Sequence, residues 1–404
     1  MTVFGTRPEV IKLAPVVTEL ARRSTRFRSV VVSSGQHVEL LDPFVKLFGL
    51  TVDHDLAAMR PGQHLNQLFA RVTRTLDPIL DAVRPDAVLV QGDTTTAVAA
   101  ALAAFQRRVP VGHVEAGLRT GDPHSPFPEE MNRRLIARLA RWHFAGTRQN
   151  VTALRREGVP AAGIFRTGNP VVDALRWLGD RPPQSDRLRD ILAATTGLKR
   201  ITLTAHRRES FGTALERTLR VARHFLDRHP DTALVFPMHP NPVVREKAYS
   251  VLGGVERAHL TDPFDYPDFI ALLRHSWLIA SDSGGVQEEA PSLGVPLLVL
   301  RESTERPEAV ACGAATLAPT ADAFAALLDA AYWSAGGDSA PASDPSGHET
   351  EVDDSEAPPI RPAAPVPASA RRNPFGDGRA AVRIANVLTR ELSGTPARKR
   401  EAVR

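Results

Sequence analysis

From the N-terminus to about position 300, short apolar runs alternate with stretches whose apolar residues recur at helical period. That alternation constrains the chain more than any other feature. It is the pattern of strand–helix units wound about a parallel sheet, where strands buried on both faces read as unbroken apolar runs. Residues 30–33, 87–91 and 109–114 read as strands of a first sheet, each handing over to a polar loop. Residues 201–204, 233–237 and 277–281 read as strands of a second, with helices over 213–228 and 268–273 among them. The expected fold is α/β, two doubly wound, Rossmann-like domains facing a central cleft, because ligand sites in such sheets gather beyond the strand C-termini.

The chain is long enough for this: 404 residues exceed what one core usually holds. A Gly168-Asn169-Pro170 turn sets the expected boundary, giving domains over 1–168 and 169–333. Residues 334–372 turn into Ala, Pro, Ser, Asp and Glu with few large apolar side chains, too few to offset the entropy of ordering, so they read as a disordered insertion. Residues 373–392 read as a turn and a helix, and 393–404 as a frayed basic tail.

With 43% hydrophobic and 24% charged residues, the composition is that of a globular enzyme rather than a fibre or a disordered chain. The net charge of +4 comes from 50 basic and 46 acidic residues spread along the chain, so nucleic acid is not an indicated partner. Cys312, alone, excludes an intramolecular disulfide, suits a reducing compartment and reads as a buried bystander. No apolar run spans a bilayer and no signal-peptide pattern opens the chain, so a cytoplasmic location is expected, with no membrane insertion. Thr2-Val3-Phe4 meets a glycine turn so soon that it reads as a first strand with residues missing upstream.

Several loops carry chemistry. Gly5-Thr6-Arg7-Pro8-Glu9-Val10-Ile11-Lys12 follows a strand and opens a helix, so Arg7 and Lys12 can meet phosphate near a positive helix end; a surface corner with basic residues reads equally well. Gly92-Asp93-Thr94-Thr95 places Asp93 at a strand end, with helix capping as the alternative. His113 to Arg119 adds Glu115 at the same sheet edge, and Pro126-Phe127-Pro128-Glu129-Glu130 adds further acid. Several acids converging on one edge exceed what capping requires.

In the second half, His206-Arg207-Arg208-Glu209 follows a strand and suits an anionic ligand, or is an exposed basic turn. Ser281-Asp282-Ser283-Gly284-Gly285-Val286-Gln287-Glu288-Glu289 is the sharpest local signal. Small residues there let backbone amides approach phosphate, and Glu289 can accept from ribose hydroxyls. Thr304-Glu305-Arg306-Pro307-Glu308 supplies another cation.

Jointly these segments resemble the non-hydrolysing UDP-GlcNAc 2-epimerases, over nearly all of positions 3–318 and again over 373–388. The family's GTRPE-IK, GDT, HVEAGLRT, PEE-NR, HRRE-FG, DSGG-QEEA and TERPE all stand in this chain in order. The resemblance implies a glycosyltransferase-B type fold, with UDP held mainly by the C-terminal domain. It implies that Asp93, Glu115, Glu129 and His206 act in catalysis. Ser283, Gly284, Gly285 and Glu289 would hold phosphate and ribose, Phe269 would lie near the uracil, and Arg7 and Arg306 would offset diphosphate charge. It further implies UDP-GlcNAc and UDP-ManNAc as ligands, a homodimer, no cofactor and no metal, and a supply of ManNAc units for cell-surface polysaccharide.

Some relatives bind a second UDP-GlcNAc as an activator. Gln36, Arg207 and His239 fit that site, whereas Glu39 and Gly62 stand where some relatives carry glutamine and arginine. The C2 proton is not next to a carbonyl and no nicotinamide fingerprint is present, so the implied route is elimination of UDP to 2-acetamidoglucal and re-addition. Rival readings are a glycosyltransferase of the same fold, a nucleotide-sugar sensor and a hydrolysing epimerase.

Overall fold

The computed structural model describes residues 1–35, 38–60, 62–205, 212–334 and 373–393. Two compact units emerge: Met1–Arg181 with Glu305–Glu308 and the C-terminal segment from Asn373, and Pro182–Thr304 with the chain from Ala309.

Among its described residues the first unit holds seven strands: β1 (Thr2–Phe4), β2 (Val31–Ser33), β3 (His54–Asp55), β4 (Val88–Gln91), β5 (Val111–Ala116), β6 (Trp142–Ala145) and β7 (Ile164–Arg166). All pair in parallel, in the order β3-β2-β1-β4-β5-β6-β7. The order reverses between β1 and β4, the place where doubly wound sheets open a ligand crevice. Although three residues long, β1 is central, pairing with β2 on one side and β4 on the other. The helix Thr95–Gln106 shows why local propensity suffices here: its alanines, among them Ala97 and Ala99–Ala101, are fully buried, and such small side chains let the helix lie close to its neighbours.

The second unit holds β8 (Lys199–Thr204), β9 (Thr232–Pro237), β10 (Ala258–Thr261), β11 (Leu278–Ser281), β12 (Leu297–Val299) and β13 (Ala315–Leu317). They are parallel, in the order β10-β9-β8-β11-β12-β13, so this sheet reverses between β8 and β11. Leu203, Phe225, Phe236, Phe324 and Leu328 anchor its core at 0–1% exposure, each side chain contributing about 1.5–3 kcal/mol by leaving water.

The expected boundary at 168/169 differs from the division by contact, which falls after Arg181. The reason is the anchoring of the turn itself. Asn169 N–H donates to Phe375 O at 2.8 Å, and the Asp173 carboxylate accepts the N–H groups of Ala380 and Ala381 at 3.0 and 2.9 Å. The helix Pro170–Leu178 and the helix Ala380–Ser393 therefore pack with the first unit, the latter opening on a cap supplied by the former. Cys312 also departs from expectation: it is partly exposed rather than buried, its thiol directed at Ala309 O at 3.3 Å. Most of the expected insertion, residues 335–372, and the tail beyond Ser393 lie outside the described residues. Among the described residues no helix is long and apolar enough to cross a membrane.

Candidate active site

Glu115 is the penultimate residue of β5, and the strand's register with β6 shifts between Val114 and Ala116. Its φ of +63° is in the left-handed region, which costs a non-glycine residue about 1–2 kcal/mol. A bulge of this kind re-aims one side chain at a strand end. The carboxylate that results is only 6% exposed and is held from three sides: it accepts from Lys12 Nζ as an ion pair, from Gln91 Nε2, and from Asn169 Nδ2 at 2.9 Å. Lys12 is thus a buried counter-ion of Glu115.

Asp93 follows β4. Gly92 before it has φ +68° and lies against the Glu115 carboxylate, since a Cβ there would stand 3.6 Å from Glu115 Oε2. The capping alternative for Asp93 falls to its neighbour: Thr94 is the N-cap of Thr95–Gln106, its hydroxyl accepting from Ala97 N–H at 3.0 Å. Asp93 instead pairs with Arg133, whose Nε and Nη2 both reach Oδ2 at 2.7 Å, while Asn132 Nδ2 donates to the Asp93 carbonyl at 2.8 Å. Burial penalises the Arg133 guanidinium, yet the Asp93 charge holds it above its usual range, and Arg306 acts on it as a neighbouring like charge.

One turn of helix sorts the paired acids at 129 and 130. In Glu129–Leu139, Glu130 is fully buried and accepts from Thr120 N–H and Arg133 at 3.1 Å and from Arg134 at 3.2 Å, so it anchors the helix. Glu129, at the first helical position, is partly exposed. His113 is buried, and burial pushes its imidazole down to about 3, so it is neutral at physiological pH. Its Nε2 lies 2.7 Å from Gly92 O, an acceptor only, so Nε2 carries the proton and ties β5 to the Asp93 loop. Arg7 is exposed, its guanidinium 5.7 Å from the Phe44 ring centroid, and Arg306 is mostly buried beside Glu305 at 3.2 Å.

In the second unit, Ser283 N-caps the helix Gly284–Leu293 without a side-chain bond, and no acid stands in the first turn. Ser283 N–H donates to Ser281 Oγ at 3.0 Å, and Ser281 Oγ meets Thr204 Oγ1 at 2.6 Å, which ties the ends of β8 and β11 at the switch point. Gly284 and Gly285 are partly exposed there. Glu289 is 5% exposed and accepts from Tyr266 OH at 2.9 Å. Phe269 is half-buried against a cluster that includes Leu188, Ile191, Val235 and Phe264. His239 is half-buried, Nδ1 accepting from Asn241 N–H at 3.2 Å. His206, Gln36, Arg207 and the side chain of Glu39 lie outside the described residues.

Four further residues at these strand ends, Glu9, Gln91, Arg133 and Asn169, are not among the expected site residues, although Glu9 and Arg133 stand within the GTRPE and PEE-NR segments. Two had a visible signal, Glu9 as the last member of a Thr-x-x-Glu capping box and Asn169 as a helix N-cap before proline. Nothing in the sequence marked Gln91 or Arg133 as carboxylate partners.

Acidic residues with buried counter-ions beyond the C-termini of one parallel sheet, and a glycine-opened helix at the switch point of another, define an α/β enzyme of the doubly wound class. The family model described as UDP-N-acetylglucosamine 2-epimerase matches residues 19–331. The chain is 50% identical over 325 residues to the UDP-N-acetylglucosamine 2-epimerase of Escherichia coli K12, covering 79% of this chain and 86% of that one. Among solved structures, UDP-GlcNAc 2-epimerase from Neisseria meningitidis bound to UDP-GlcNAc superposes with a TM-score of 0.80 at 38% identity, covering 96% and 99% of the two chains. The S. aureus MnaA–UDP complex does so with a TM-score of 0.83 at 37% identity, covering 97% and 96%. The chain belongs to the UDP-N-acetylglucosamine 2-epimerase family and is an isomerase.

Proposed function

We propose that the enzyme reversibly epimerises UDP-GlcNAc to UDP-ManNAc at C2 without a cofactor and without hydrolysis. The observation that carries this reading is the pair of carboxylates at adjacent strand ends, Glu115 with Lys12 and Asp93 with Arg133, one more buried than the other. Removing and returning a proton on opposite faces of C2 needs at least two acid–base groups, and each works only if its geometry is set beforehand.

In the forward direction a carboxylate takes the C2 proton, the C1–O bond breaks with its electron pair leaving on UDP, and a C1–C2 double bond forms in 2-acetamidoglucal. UDP oxygen then re-adds at C1 as a proton is delivered to the other face of C2. Asp93 is assigned C2 proton transfer. Glu115 and Glu129 complete the acid–base set and orient the sugar. Arg7, Arg306 and His206 offset the charge on departing diphosphate, which is where fixed cations lower a barrier most. Ser283, Gly284 and Gly285 hold phosphate, Glu289 the ribose and Phe269 the uracil, while Lys12 serves as the counter-ion of Glu115. Gln36, Glu39, Arg207 and His239 are assigned to a second, activating UDP-GlcNAc. A homodimer and supply of cell-surface polysaccharide belong to the same reading and rest on the family resemblance, and a cytoplasmic location belongs to it as well.

The test is incubation with UDP-GlcNAc alone in deuterated water, followed by NMR. UDP-ManNAc carrying deuterium at C2 is expected. UDP-ManNAc without deuterium refutes proton abstraction, free ManNAc identifies a hydrolysing enzyme, and no reaction without an acceptor identifies a transferase.

A further inference from the structure

The loop between β1 and the helix Arg7–Arg22 is built like an anion site. The N–H groups of Gly5 and Thr6 converge ahead of a helix N-terminus, where Rossmann-type loops commonly receive phosphate. Here a side chain of the same helix fills the spot. Glu9, 1% exposed, accepts on Oε2 from Gly5 N–H at 3.0 Å, from Thr6 N–H at 2.7 Å and from the Thr6 hydroxyl at 2.8 Å. A capping box accounts for the bond from Thr6 N–H, and the other two arise within the same turn.

It does not explain the fourth. Glu9 Oε1 accepts from the Thr94 hydroxyl at 2.8 Å, a contact between residues 85 positions apart. Thr94 itself caps Thr95–Gln106, and its backbone follows Asp93 directly; Thr6 directly precedes Arg7. One carboxyl group therefore joins the backbone that carries Arg7 to the backbone that carries Asp93. Burial raises this acid to about 7, a cost that Thr6 alone, as an N-cap, would not incur.

We propose that Glu9 is a positioning residue: its carboxyl group fills the anion position of the β1 loop and holds the Arg7 and Asp93 backbones in mutual register for epimerisation. What Arg7 and Asp93 do rests on the proposed function; the tie between their loops does not. The tie also closes the first unit's loop amides to phosphate.

The test compares Glu9→Ala, Glu9→Gln, Thr94→Val and Thr94→Ser in the full chain, well below each melting temperature. Glu9→Ala should lower kcat at least about tenfold with a smaller change in KM, since misplacing reacting groups by about 1 Å costs up to about a hundredfold. Glu9→Gln keeps an oxygen for the amides and can donate to the Thr94 oxygen, so it should recover most of that loss. Added sodium formate should restore kcat in Glu9→Ala by occupying the vacated spot. Wild-type kcat in Glu9→Ala, or formate that raises its melting temperature without raising kcat, overturns the proposal and leaves Glu9 a structural cap. Should Glu9→Ala not fold, the Thr94 pair decides: a loss in Thr94→Val that Thr94→Ser lacks supports the tie, and equal activities refute it. A wild-type enzyme that forms no UDP-ManNAc is the failure of the functional reading, seen before any variant is compared.

Discussion

Glu9→Gln should also change how stability depends on pH. In the folded protein burial raises this carboxyl from its usual 4.5 to about 7, against the lowering effect of its bonds from Thr6, Thr94 and Gly5. Between those two values the folded chain keeps a proton that the unfolded chain has released. Unfolding free energy falls with rising pH wherever the folded state binds more protons. Glu9 thus withdraws stability progressively from about pH 4.5, and completely above about pH 7. At about 1.4 kcal/mol per pH unit, the full loss is about 3 kcal/mol, of which about 2–3 kcal/mol falls between pH 5 and pH 8. Glutamine does not titrate and removes this slope. The assay is hydrogen exchange of β1 and the helix Arg7–Arg22 at pH 5–8, corrected for intrinsic exchange, which reads the first unit apart from the second. The gap in opening free energy between wild type and variant should shift by that amount in favour of the variant as pH rises. Parallel profiles refute the reasoning, because they mean that four donors outweigh burial and Glu9 ionises as an ordinary carboxyl.

Asp93→Asn should fold normally and lose about a hundredfold in turnover, the scale of a missing general acid or base, and near-normal activity removes Asp93 from that role. Lys12→Met leaves the buried Glu115 carboxylate without its counter-ion and should cost about 3–5 kcal/mol by chemical denaturation. Adding Glu115→Gln to it should recover stability but not turnover, and a double variant no more stable than Lys12→Met refutes the pairing. Glu289→Ala should chiefly weaken UDP binding measured by calorimetry, with an unchanged affinity counting against the ribose contact. Asp173→Ala removes the acceptor for Ala380 and Ala381 N–H and should cost the helix Ala380–Ser393 about 1–2 kcal/mol, read as faster proteolysis there; unchanged proteolysis refutes the cap.

The apolar alternation by itself determined two parallel sheets, because burial on both faces leaves a local imprint on inner strands such as β4 and β5, an imprint that the partly exposed edge strands β3, β7 and β10 lack. The same reading located the loops at strand ends, and the order of seven motifs within them was enough to identify the family. It could not assign partners. Lys12 and Glu115 are 103 residues apart, and only the placement of β1 and β4 at the sheet centre, with the bulge in β5, makes them an ion pair. The same holds for Arg133, the arginine of the PEE-NR motif, which the fold sets against Asp93, 40 residues before it in the chain.

That the two units divide after Arg181, and not at the turn before Asn169, has a related cause. A Gly-Asn-Pro turn marks a change of direction but carries no information about which core its far side joins. That was decided by long-range bonds, Asn169 to Glu115 and to Phe375, and Asp173 to the helix that begins at Ala380. Periodicity and turn chemistry are properties of a few consecutive residues. The pairing of a buried charge is a property of the packed chain, since its energy depends on which groups have left water together.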